Sequence, residues 1–135
     1  MNVKVPSLLK LPKILDERGN LSFFEGDSHI PFVIERCYWI YDVPGGEIRG
    51  GHSYKQNEEF IIALSGSFDL VVDDGKEKKK YSLNRSDYGL YIPSGIWRQL
   101  ENFSTNSLGF IAASTKYDEA DYERDYQNFI VSKSR

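Results

Sequence analysis

Four residues of types that move protons or hold charge stand in the middle of the chain: His52, Tyr54, Glu59 and Arg98. Residues 52 and 54 are two apart, so in an extended segment their side chains point to the same side. A histidine titrates near neutral pH and can accept a proton, and a tyrosine hydroxyl can donate one. An arginine is a permanent cation that binds oxyanions. These types predict acid–base chemistry on a substrate that carries or develops negative charge.

The elements that must position these side chains are predicted to be short β-strands. Alternating segments rich in aromatic and β-branched residues recur between turn signals such as Asp74-Gly75. The predicted strands are 21–25, 33–41, 60–64, 67–73, 81–83, 88–92, 97–101 and 108–113. Within 33–41, the even positions, including Arg36 and Tyr38, share one face. Strands at this regular spacing are typical of a sandwich or barrel.

The period of the pattern changes near the C-terminal end of the sequence. Aromatic and apolar residues recur there at helical spacing, at Tyr122, Tyr126, Phe129 and Ile130. Acidic residues that favour a helix N-terminus precede them, at Asp118, Glu119 and Asp121. This pattern predicts a short helix packed on the outside of the barrel, with an aromatic stripe used for packing and not for ligand binding.

The composition limits the class of protein. The 135 residues carry a net charge of −3 with mixed signs, unlike a nucleic-acid-binding protein, and their number suits one domain over 1–135. The lone cysteine, Cys37, is predicted to be a small core residue and fits a reducing compartment. Since no stretch suits a signal peptide or a membrane span, we expect a cytoplasmic protein that binds neither nucleic acid nor membrane.

The spacing of the four polar residues resembles the paired signatures of the cupin superfamily. The first signature falls on Gly46, His52, Tyr54, Glu59 and Gly66, and the second on Asp87, Pro93, Gly95, Arg98 and Asn102. The resemblance implies an all-β, cupin-type jelly-roll barrel with these side chains at its mouth, to which the pattern above adds a short C-terminal helix. Cupins often bind a metal at these positions. Here only His52 and Glu59 are suitable ligands, so we expect neither a metal nor another cofactor.

A narrower resemblance covers nearly the whole chain. Segments 16–21, 36–41, 49–55, 65–68, 71–75, 89–93, 95–97 and 117–122 are similar to dTDP-4-keto-6-deoxyglucose 3,4-ketoisomerases, the WxcM-like sugar ketoisomerases. This implies metal-independent isomerisation of a dTDP-linked 4-keto-6-deoxyhexose to the 3-keto sugar through an enediol or enediolate. An aminotransferase would then make a 3-amino-3,6-dideoxyhexose for a bacterial surface glycan, such as lipopolysaccharide or an S-layer glycan. The family also implies a homodimer that exchanges N-terminal strands.

The chemistry of this reaction assigns two residues to proton transfer. His52 is the predicted general base. Tyr54 stands where the family usually carries the second histidine of a His-x-His motif. It is predicted to be the second proton-transfer group or a hydrogen-bond donor to the sugar, and a purely structural replacement is the alternative. The predicted substrate-binding residues are Arg18, Tyr38, Arg49, Lys55, Glu59, Tyr91 and Arg98.

Each predicted substrate contact has a structural alternative. Arg98 would stabilise the enediolate, or would form an ion pair with Glu59 that closes the barrel. Arg49 and Lys55 would meet the diphosphate, or would form a solvated rim. Tyr38 and Tyr91 would line the sugar or stack on thymine, or would be core residues. Arg18 would contact the sugar or a phosphate, or would only belong to a charged turn.

Three other functions are compatible with the sequence. The first is a non-catalytic cupin that binds a nucleotide sugar, which the substitution at Tyr54 favours. The second is a 3,5-epimerase, because such enzymes abstract protons from the same class of 4-keto sugar. The third is a metal-dependent cupin enzyme, which the small number of suitable ligands disfavours.

Overall fold

Two antiparallel β-sheets dominate the computed structural model, which describes residues 4–134. The strands are β1 (Ser7–Lys10), β2 (Lys13–Ile14), β3 (Leu21–Ser22), β4 (Arg36–Tyr41), β5 (Arg49–Tyr54), β6 (Glu59–Ser65), β7 (Phe68–Asp73), β8 (Lys78–Leu83), β9 (Tyr88–Ile92), β10 (Trp97–Glu101), β11 (Leu108–Ala113) and β12 (Tyr122–Glu123). Sheet I has the order β1-β9-β6-β11-β4 and sheet II the order β12-β5-β10-β7-β8. Strands β2 and β3 form a separate hairpin.

The main hydrophobic core lies between the two sheets. Sheet I contributes residues such as Ile61, Leu90 and Ile111, and sheet II contributes residues such as Leu70 and Leu100. A second core covers the outer face of sheet I, where the chain before β4 packs Leu11, Ile30 and Phe32 on Phe60, Ile62 and Tyr91. Within residues 4–134 no strand pairing joins the sheets, so the barrel is a double sheet of the jelly-roll kind and not a closed ring.

The predicted all-β fold with a short C-terminal helix is confirmed. Three strands have the predicted bounds: β9, β10 and β11. The Asp74-Gly75 turn joins β7 to β8, and Gly75 has a φ of +97° that a glycine adopts without strain. The Asp73 carboxylate accepts a hydrogen bond from the Gly75 N–H at 2.8 Å, which fixes the turn.

Several predicted boundaries differ from the structure. Strand β4 begins at Arg36, three residues later than predicted, and β3 has only two residues. The acidic residues before Tyr122 form a 3₁₀ turn at Glu119–Asp121, and Tyr122 belongs to β12. Helix α1 (Tyr126–Lys133) begins later because the Asp125 side chain accepts a hydrogen bond from the Asn128 N–H as its N-cap. In the described part of the chain, no helix has the length and apolarity needed to cross a membrane.

The prediction that Cys37 is a core residue was wrong, since it is exposed. The predicted alternation along β4 is present, and Ile40 lies in the core. The opposite face carries Cys37, Trp39 and Tyr41, of which Trp39 and Tyr41 are 56% and 60% exposed. Within residues 4–134, this apolar face is covered only in part, by the Phe110 ring stacked on Trp39 with centroids 6.5 Å apart.

Candidate active site

The inner face of β5 carries His52 and Tyr54 into the space between the sheets. They are 7% and 5% exposed, and their rings meet edge to face with centroids 4.8 Å apart. Strand β5 lies between β12 and β10, and the register of β5 with β10 sets His52 opposite Arg98. The extended backbone therefore brings the predicted proton-transfer pair beside the predicted cation.

Arg98 is enclosed, and it donates hydrogen bonds in three directions. Its Nε and Nη2 donate to Glu59 Oε1 at 3.0 and 2.8 Å. Its Nη1 donates to the Gly50 carbonyl oxygen at 2.8 Å, and Nη2 also donates to the Tyr38 hydroxyl at 3.0 Å. The side chains of Arg98 and Glu59 are 2% and 1% exposed, so the ion pair between them is present and buried. These hydrogen bonds fix the guanidinium in place and replace the water that both charges lost.

Gly50 explains how the backbone approaches Arg98 so closely. Its φ is +71°, in the left-handed region that favours glycine, and a Cβ at this position would run into Arg98 Nη1. The register between β5 and β10 shifts next to this point. Both the backbone conformation and the neighbouring guanidinium therefore require a glycine two residues before His52.

Tyr38, on the inner face of β4, connects the buried carboxylate to Tyr54. Its hydroxyl donates a hydrogen bond to Glu59 Oε2 and lies 3.4 Å from the Tyr54 hydroxyl. The two hydroxyls and the carboxylate form a continuous polar path in a site that excludes water, where such contacts strengthen one another. A proton can pass along this path between Tyr54 and Glu59.

Tyr122 covers another side of His52. Strand β12 pairs with β5 so that Tyr122 lies opposite Tyr54. The Tyr122 ring centroid is 4.9 Å from that of His52 and 4.7 Å from that of Tyr54. Sequence analysis missed this site residue because it assigned Tyr122 to the packing stripe of the helix. The signal that could have found it is Asp125, an N-cap residue that begins the helix at 126.

The environment of His52 keeps its imidazole neutral. Burial lowers the pKa of His52 to about 2, and the positive charges of Arg98, Arg124 and Arg36 act in the same direction. Its Nε2 is buried and has no hydrogen-bond partner within residues 4–134. In the tautomer that carries its hydrogen on Nδ1, this nitrogen is free to accept a proton from a substrate.

Both inner tyrosines are held in the protonated form. Burial raises the pKa of Tyr54 and that of Tyr38 above the ordinary value, the negative charge of Glu59 adds to this, and Arg98 opposes it. Burial also opposes the charge on Arg98, but Glu59 and the two tyrosines outweigh it and raise the pKa of that guanidinium. The site therefore offers a neutral imidazole, two hydroxyl donors and one fixed cation.

Comparison with known proteins places this geometry in a family. The family model described as "WxcM-like, C-terminal" (FdtA) matches residues 2–134. This chain belongs to the WxcM-like family. The narrower resemblance predicted from the residues is confirmed, and it extends over nearly the whole sequence.

Three relatives of this WxcM-like chain are named for the same reaction. The TDP-4-oxo-6-deoxy-α-D-glucose-3,4-oxoisomerase of Aneurinibacillus thermoaerophilus is 38% identical over 122 residues, which are 90% of this chain and 88% of that protein. The solved structure of QdtA, a sugar 3,4-ketoisomerase from Thermoanaerobacterium thermosaccharolyticum in complex with TDP, is 36% identical with a TM-score of 0.93, and the match covers 96% of this chain and 94% of QdtA. The solved TDP-quinovose 3,4-ketoisomerase of Campylobacter jejuni is 40% identical with a TM-score of 0.90, over 96% of this chain and 99% of that one.

The WxcM-like fold brings five of the predicted site residues together. His52, Tyr54, Tyr38, Glu59 and Arg98 form one contiguous cluster through the contacts given above. They come from four strands of both sheets, β4, β5, β6 and β10. Their assignment to catalysis and substrate binding stays a prediction, which the proximity of the five side chains supports.

The two cations predicted to meet the diphosphate lie at either end of β5. Arg49 is exposed at the first position of the strand. Lys55, just past its end, is also exposed, and its Nζ donates to the Ala120 carbonyl oxygen at 3.2 Å. The structure does not bring either side chain into the cluster, and their contact with substrate stays a prediction.

The two remaining predicted residues lie apart from the cluster. Arg18, at the turn of the β2–β3 hairpin, has a side chain that is 87% exposed and is paired with Asp16 at 2.9 Å. Tyr91 lies in the second core, on the outer face of sheet I, where its hydroxyl donates to Glu58. Tyr91 therefore points away from His52 within one copy of the chain.

The donor atoms near His52 do not suit a divalent metal. Among residues 4–134, no three His, Cys, Asp or Glu side chains lie together in a way that could hold a metal ion. The Glu59 carboxylate already accepts hydrogen bonds from Arg98 and Tyr38, and the adjacent guanidinium would repel a cation. The chemistry of the site must therefore be derived from its own side chains.

Proposed function

We propose that this protein is a sugar-nucleotide 3,4-ketoisomerase, an isomerase of the intramolecular oxidoreductase class. Its substrate is a TDP-linked 4-keto-6-deoxyhexose and its product is the 3-keto sugar. The observation that carries the proposal is a buried, neutral His52 with a free Nε2 beside the fixed cation Arg98. Membership of the WxcM-like family, with relatives named as TDP-sugar 3,4-ketoisomerases, supports this substrate class.

The reaction needs proton transfer and no external oxidant. The ketone at C4 acidifies the hydrogen on C3, and a base removes that proton. The electron pair of the C3–H bond forms a double bond to C4 while the carbonyl pair moves onto O4, which gives an enediolate. Protonation of C4 and of O4, with loss of the proton on O3, then leaves a ketone at C3 and a hydroxyl at C4. The protein must supply a base, a proton donor and a group that stabilises the oxyanion.

His52 is the base in this proposal. Its neutral imidazole accepts the C3 proton at Nε2 once the Tyr122 ring moves from its place against the imidazole. In the free protein, burial and three guanidinium groups disfavour the imidazolium, which makes His52 a weak base. A bound substrate adds the negative charge of its diphosphate and of the enediolate, and this charge favours the imidazolium as it forms.

Tyr54 and Arg98 complete the set of groups. Tyr54, held protonated by burial, donates a proton to C4 or a hydrogen bond to a sugar oxygen. After a proton is donated to C4, the phenolate regains one from O3, and the Tyr38 hydroxyl, which lies 3.4 Å away and is bonded to Glu59, can stabilise the phenolate in between. Arg98 provides fixed positive charge for the enediolate oxygens. This path through two tyrosines replaces the second histidine that the family usually carries.

The experiment mixes the purified protein, without added metal, with TDP-4-keto-6-deoxyglucose in deuterated buffer and follows the sugar by NMR. We expect a new 3-keto species with deuterium at C4. Saturable TDP binding without product or exchange would favour a binding module. Deuterium at C3 and C5 without a 3-keto product would favour a 3,5-epimerase. Activity that disappears with a chelator and returns with one added metal would favour a metal-dependent enzyme.

Two variants then separate the proton-transfer roles. His52→Asn should lower kcat by about 100- to 10,000-fold, the usual contribution of a general base. Tyr54→Phe should slow product formation more than it slows loss of the C3 proton, because the phenyl ring cannot donate to C4. Equal slowing of both steps would assign Tyr54 a structural role.

We also propose that two copies of the chain form a homodimer with exchanged N-terminal strands. The outward face of β4 and the β2–β3 hairpin both expose large apolar side chains, at Trp39, Tyr41, Ile14, Leu15 and Leu21. Large apolar side chains left exposed in this number are typical of an interface. An exchanged hairpin would carry Arg18 toward the partner, which gives that predicted contact a route to substrate.

The mass in solution tests the dimer. We expect light scattering after size-exclusion chromatography to give twice the mass of one chain, and Trp39→Lys to shift the protein toward the monomer. A wild-type protein that is monomeric at micromolar concentration would contradict the dimer.

The product and the surface chemistry suggest a biological setting. A 3-keto sugar is the natural acceptor for an aminotransferase, so the product would become a 3-amino-3,6-dideoxyhexose for a bacterial surface glycan. The free thiol of Cys37 would persist best in a reducing compartment, which supports a cytoplasmic location. A coupled assay with a pyridoxal-phosphate aminotransferase would detect the amino sugar directly.

A further inference from the structure

His52 and Tyr54 approach a bound sugar from a single side. Both side chains leave β5 on its inner face, and their rings meet edge to face with centroids 4.8 Å apart. Rings at this distance are in direct contact, so a sugar ring cannot enter between them. A sugar that brings its C3–C4 bond to these two side chains therefore presents the same face to both.

Tyr54 is the proton donor at the buried end of the site. The neighbouring Tyr38 hydroxyl donates to Glu59 and accepts from Arg98 Nη2 at 3.0 Å, so its hydrogen is already engaged. The Arg98 guanidinium is a permanent cation and does not release a proton. The Tyr54 hydroxyl lies 3.4 Å from that of Tyr38 and keeps a hydrogen that it can transfer to a substrate.

The Tyr122 hydroxyl is the competing donor, and it would act from the other side of the sugar. Its ring lies 4.9 Å from that of His52 and 4.7 Å from that of Tyr54, over the space that the sugar must enter. Tyr122 is only partly buried and must move before a substrate reaches the base, whereas Tyr54 is 5% exposed and can stay in place. A group that is already in position needs no reorganisation during the reaction, which favours Tyr54.

The configuration of the substrate determines what proton transfer on one side produces. In 4-keto-6-deoxy-D-glucose, the hydrogen on C3 lies on the face of the ring opposite O3, and the base must take it from that face. A proton that reaches C4 from the same face pushes O4 to the face that carries the C5 methyl group. This is the configuration of 6-deoxygalactose, whereas a proton from the other face gives that of 6-deoxyglucose.

We infer that Tyr54 protonates C4 from the face at which His52 removes the C3 proton, and that the product has the galactose configuration at C4. The protons balance, because Tyr54 gives one to C4 and regains one from O3, while His52 passes the C3 proton to O4. The inference rests on the proposed isomerase function and specifies its product.

Proton NMR of the product, formed in ordinary water from TDP-4-keto-6-deoxyglucose, tests the configuration. We expect a single 3-keto sugar with a small coupling between H4 and H5, since H4 is equatorial in the galactose configuration. Spectra at early times record the product before C4 exchanges its hydrogen without the protein. A large coupling, from two axial hydrogens, would mean protonation from the other face and would overturn the inference.

Tyr54→Phe tests the identity of the donor. Without the hydroxyl, C4 must take its proton from water at either face, so the slower reaction should give a mixture of the two C4 epimers. Tyr81→Phe, on the edge strand β8, removes a hydroxyl outside the cluster and should give one epimer at the wild-type rate. A Tyr54→Phe protein that makes the galactose epimer alone would overturn the role of Tyr54.

Two further measurements separate Tyr54 from the other groups that could act as the donor. Tyr122→Phe should leave the galactose configuration unchanged, and a change of configuration in this variant would assign the donor to Tyr122. A substrate with deuterium at C3 should give a product with protium at C4 in ordinary water. Deuterium carried from C3 to C4 would mean that His52 makes both transfers, and would also overturn the role of Tyr54.

The outcomes distinguish this inference from the proposed function. A protein that forms no 3-keto sugar contradicts both. A 3-keto product with the glucose configuration supports the isomerase and contradicts the inference alone. A single galactose epimer that becomes a mixture in Tyr54→Phe supports both.

Discussion

Glu58, just before β6, and Glu59, its first residue, lie on opposite sides of sheet I, and each accepts a hydrogen bond from a tyrosine. Glu59 faces inward and is bonded to Tyr38, while Glu58 faces outward and is bonded to Tyr91. The same pair of residue types thus occurs twice, once on each side of the sheet. The comparison shows that a tyrosine–carboxylate pair does not by itself make a site.

The cations beside the two carboxylates make the difference. Glu59 is paired with Arg98, and the two side chains are 1% and 2% exposed. Glu58 is paired with Lys4 at 3.0 Å, and the Lys4 side chain is 57% exposed. The Arg98 guanidinium is fixed and shielded from water, whereas the Lys4 ammonium group is exposed to water. Electrostatic catalysis requires the first kind of environment.

Loss of the inner carboxylate should have the largest effect. Glu59→Ala leaves Arg98 buried without its partner, which should lower the free energy of unfolding by about 3–5 kcal/mol. Glu58→Ala leaves an exposed lysine and one unpaired hydroxyl, and should cost about 1 kcal/mol. Urea denaturation measures both values.

A gentler variant keeps this comparison testable if Glu59→Ala does not fold. Glu59→Gln retains an acceptor for Arg98 and should be less destabilised than Glu59→Ala, yet more destabilised than Glu58→Gln. Equal stability of Glu59→Gln and Glu58→Gln would mean that burial of the charged pair contributes little.

Acid should destabilise the inner site next. The folded pKa of His52, about 2, lies below the ordinary value of about 6.5, so the unfolded chain binds the proton more readily between these limits. Keeping His52 neutral therefore costs no stability above pH 6.5. Below pH 6.5, each pH unit should remove about 1.4 kcal/mol from the free energy of unfolding. Urea melts at pH 5, 6 and 7 measure the slope. His52→Asn should make the free energy of unfolding less dependent on pH in this range.

Removal of a single tyrosine hydroxyl should have the smallest effect. The effect on kcat/KM should differ clearly between Tyr38 and Tyr91. Tyr38→Phe breaks the path between Tyr54 and Glu59 and should lower kcat/KM by about tenfold, the value of one hydrogen bond to a charged group. Tyr91→Phe removes the equivalent bond on the outer face and should change kcat/KM by less than threefold. Steady-state kinetics on the TDP-4-keto sugar measure both, and a larger effect of Tyr91→Phe would support its predicted contact with substrate.

The inner cluster was largely predictable because it depends on the alternation of side chains between the two sides of a strand. Residues 52 and 54 share a side in any extended segment, and the even face of β4 predicted that Arg36 and Tyr38 lie together. The resemblance to the two cupin signatures then implied that Glu59 and Arg98 meet His52 and Tyr54. The strand bounds of β9 to β11 followed from clear turn signals.

Long-range pairing accounts for what the sequence did not reveal. Tyr122 reaches His52 only because β12 pairs with β5, a contact between residues far apart in the chain. Tyr91 faces outward because it lies opposite Phe60, and the register of β9 on β6 cannot be deduced from either strand alone. Cys37 is exposed because its side chain lies on the face of β4 opposite Ile40, away from the core between the sheets.

The segment 117–134 joins the barrel through strand pairing, ring packing and hydrogen bonds, such as those from the Gln56 and Asn57 N–H groups to the Asp121 carboxylate. Strand β12 contributes two residues to sheet II, and Tyr126 and Phe129 pack on the outward ring of Trp97, with ring centroids 5.2 and 5.7 Å away. The next residue along β10, Arg98, points inward to the ion pair. The wall over His52 and the ion pair behind it are therefore built by different parts of the chain, the wall by the C-terminal segment and the ion pair by the strands of the barrel. A substitution at Tyr122 can alter the wall and leave the buried pair of Arg98 and Glu59 intact.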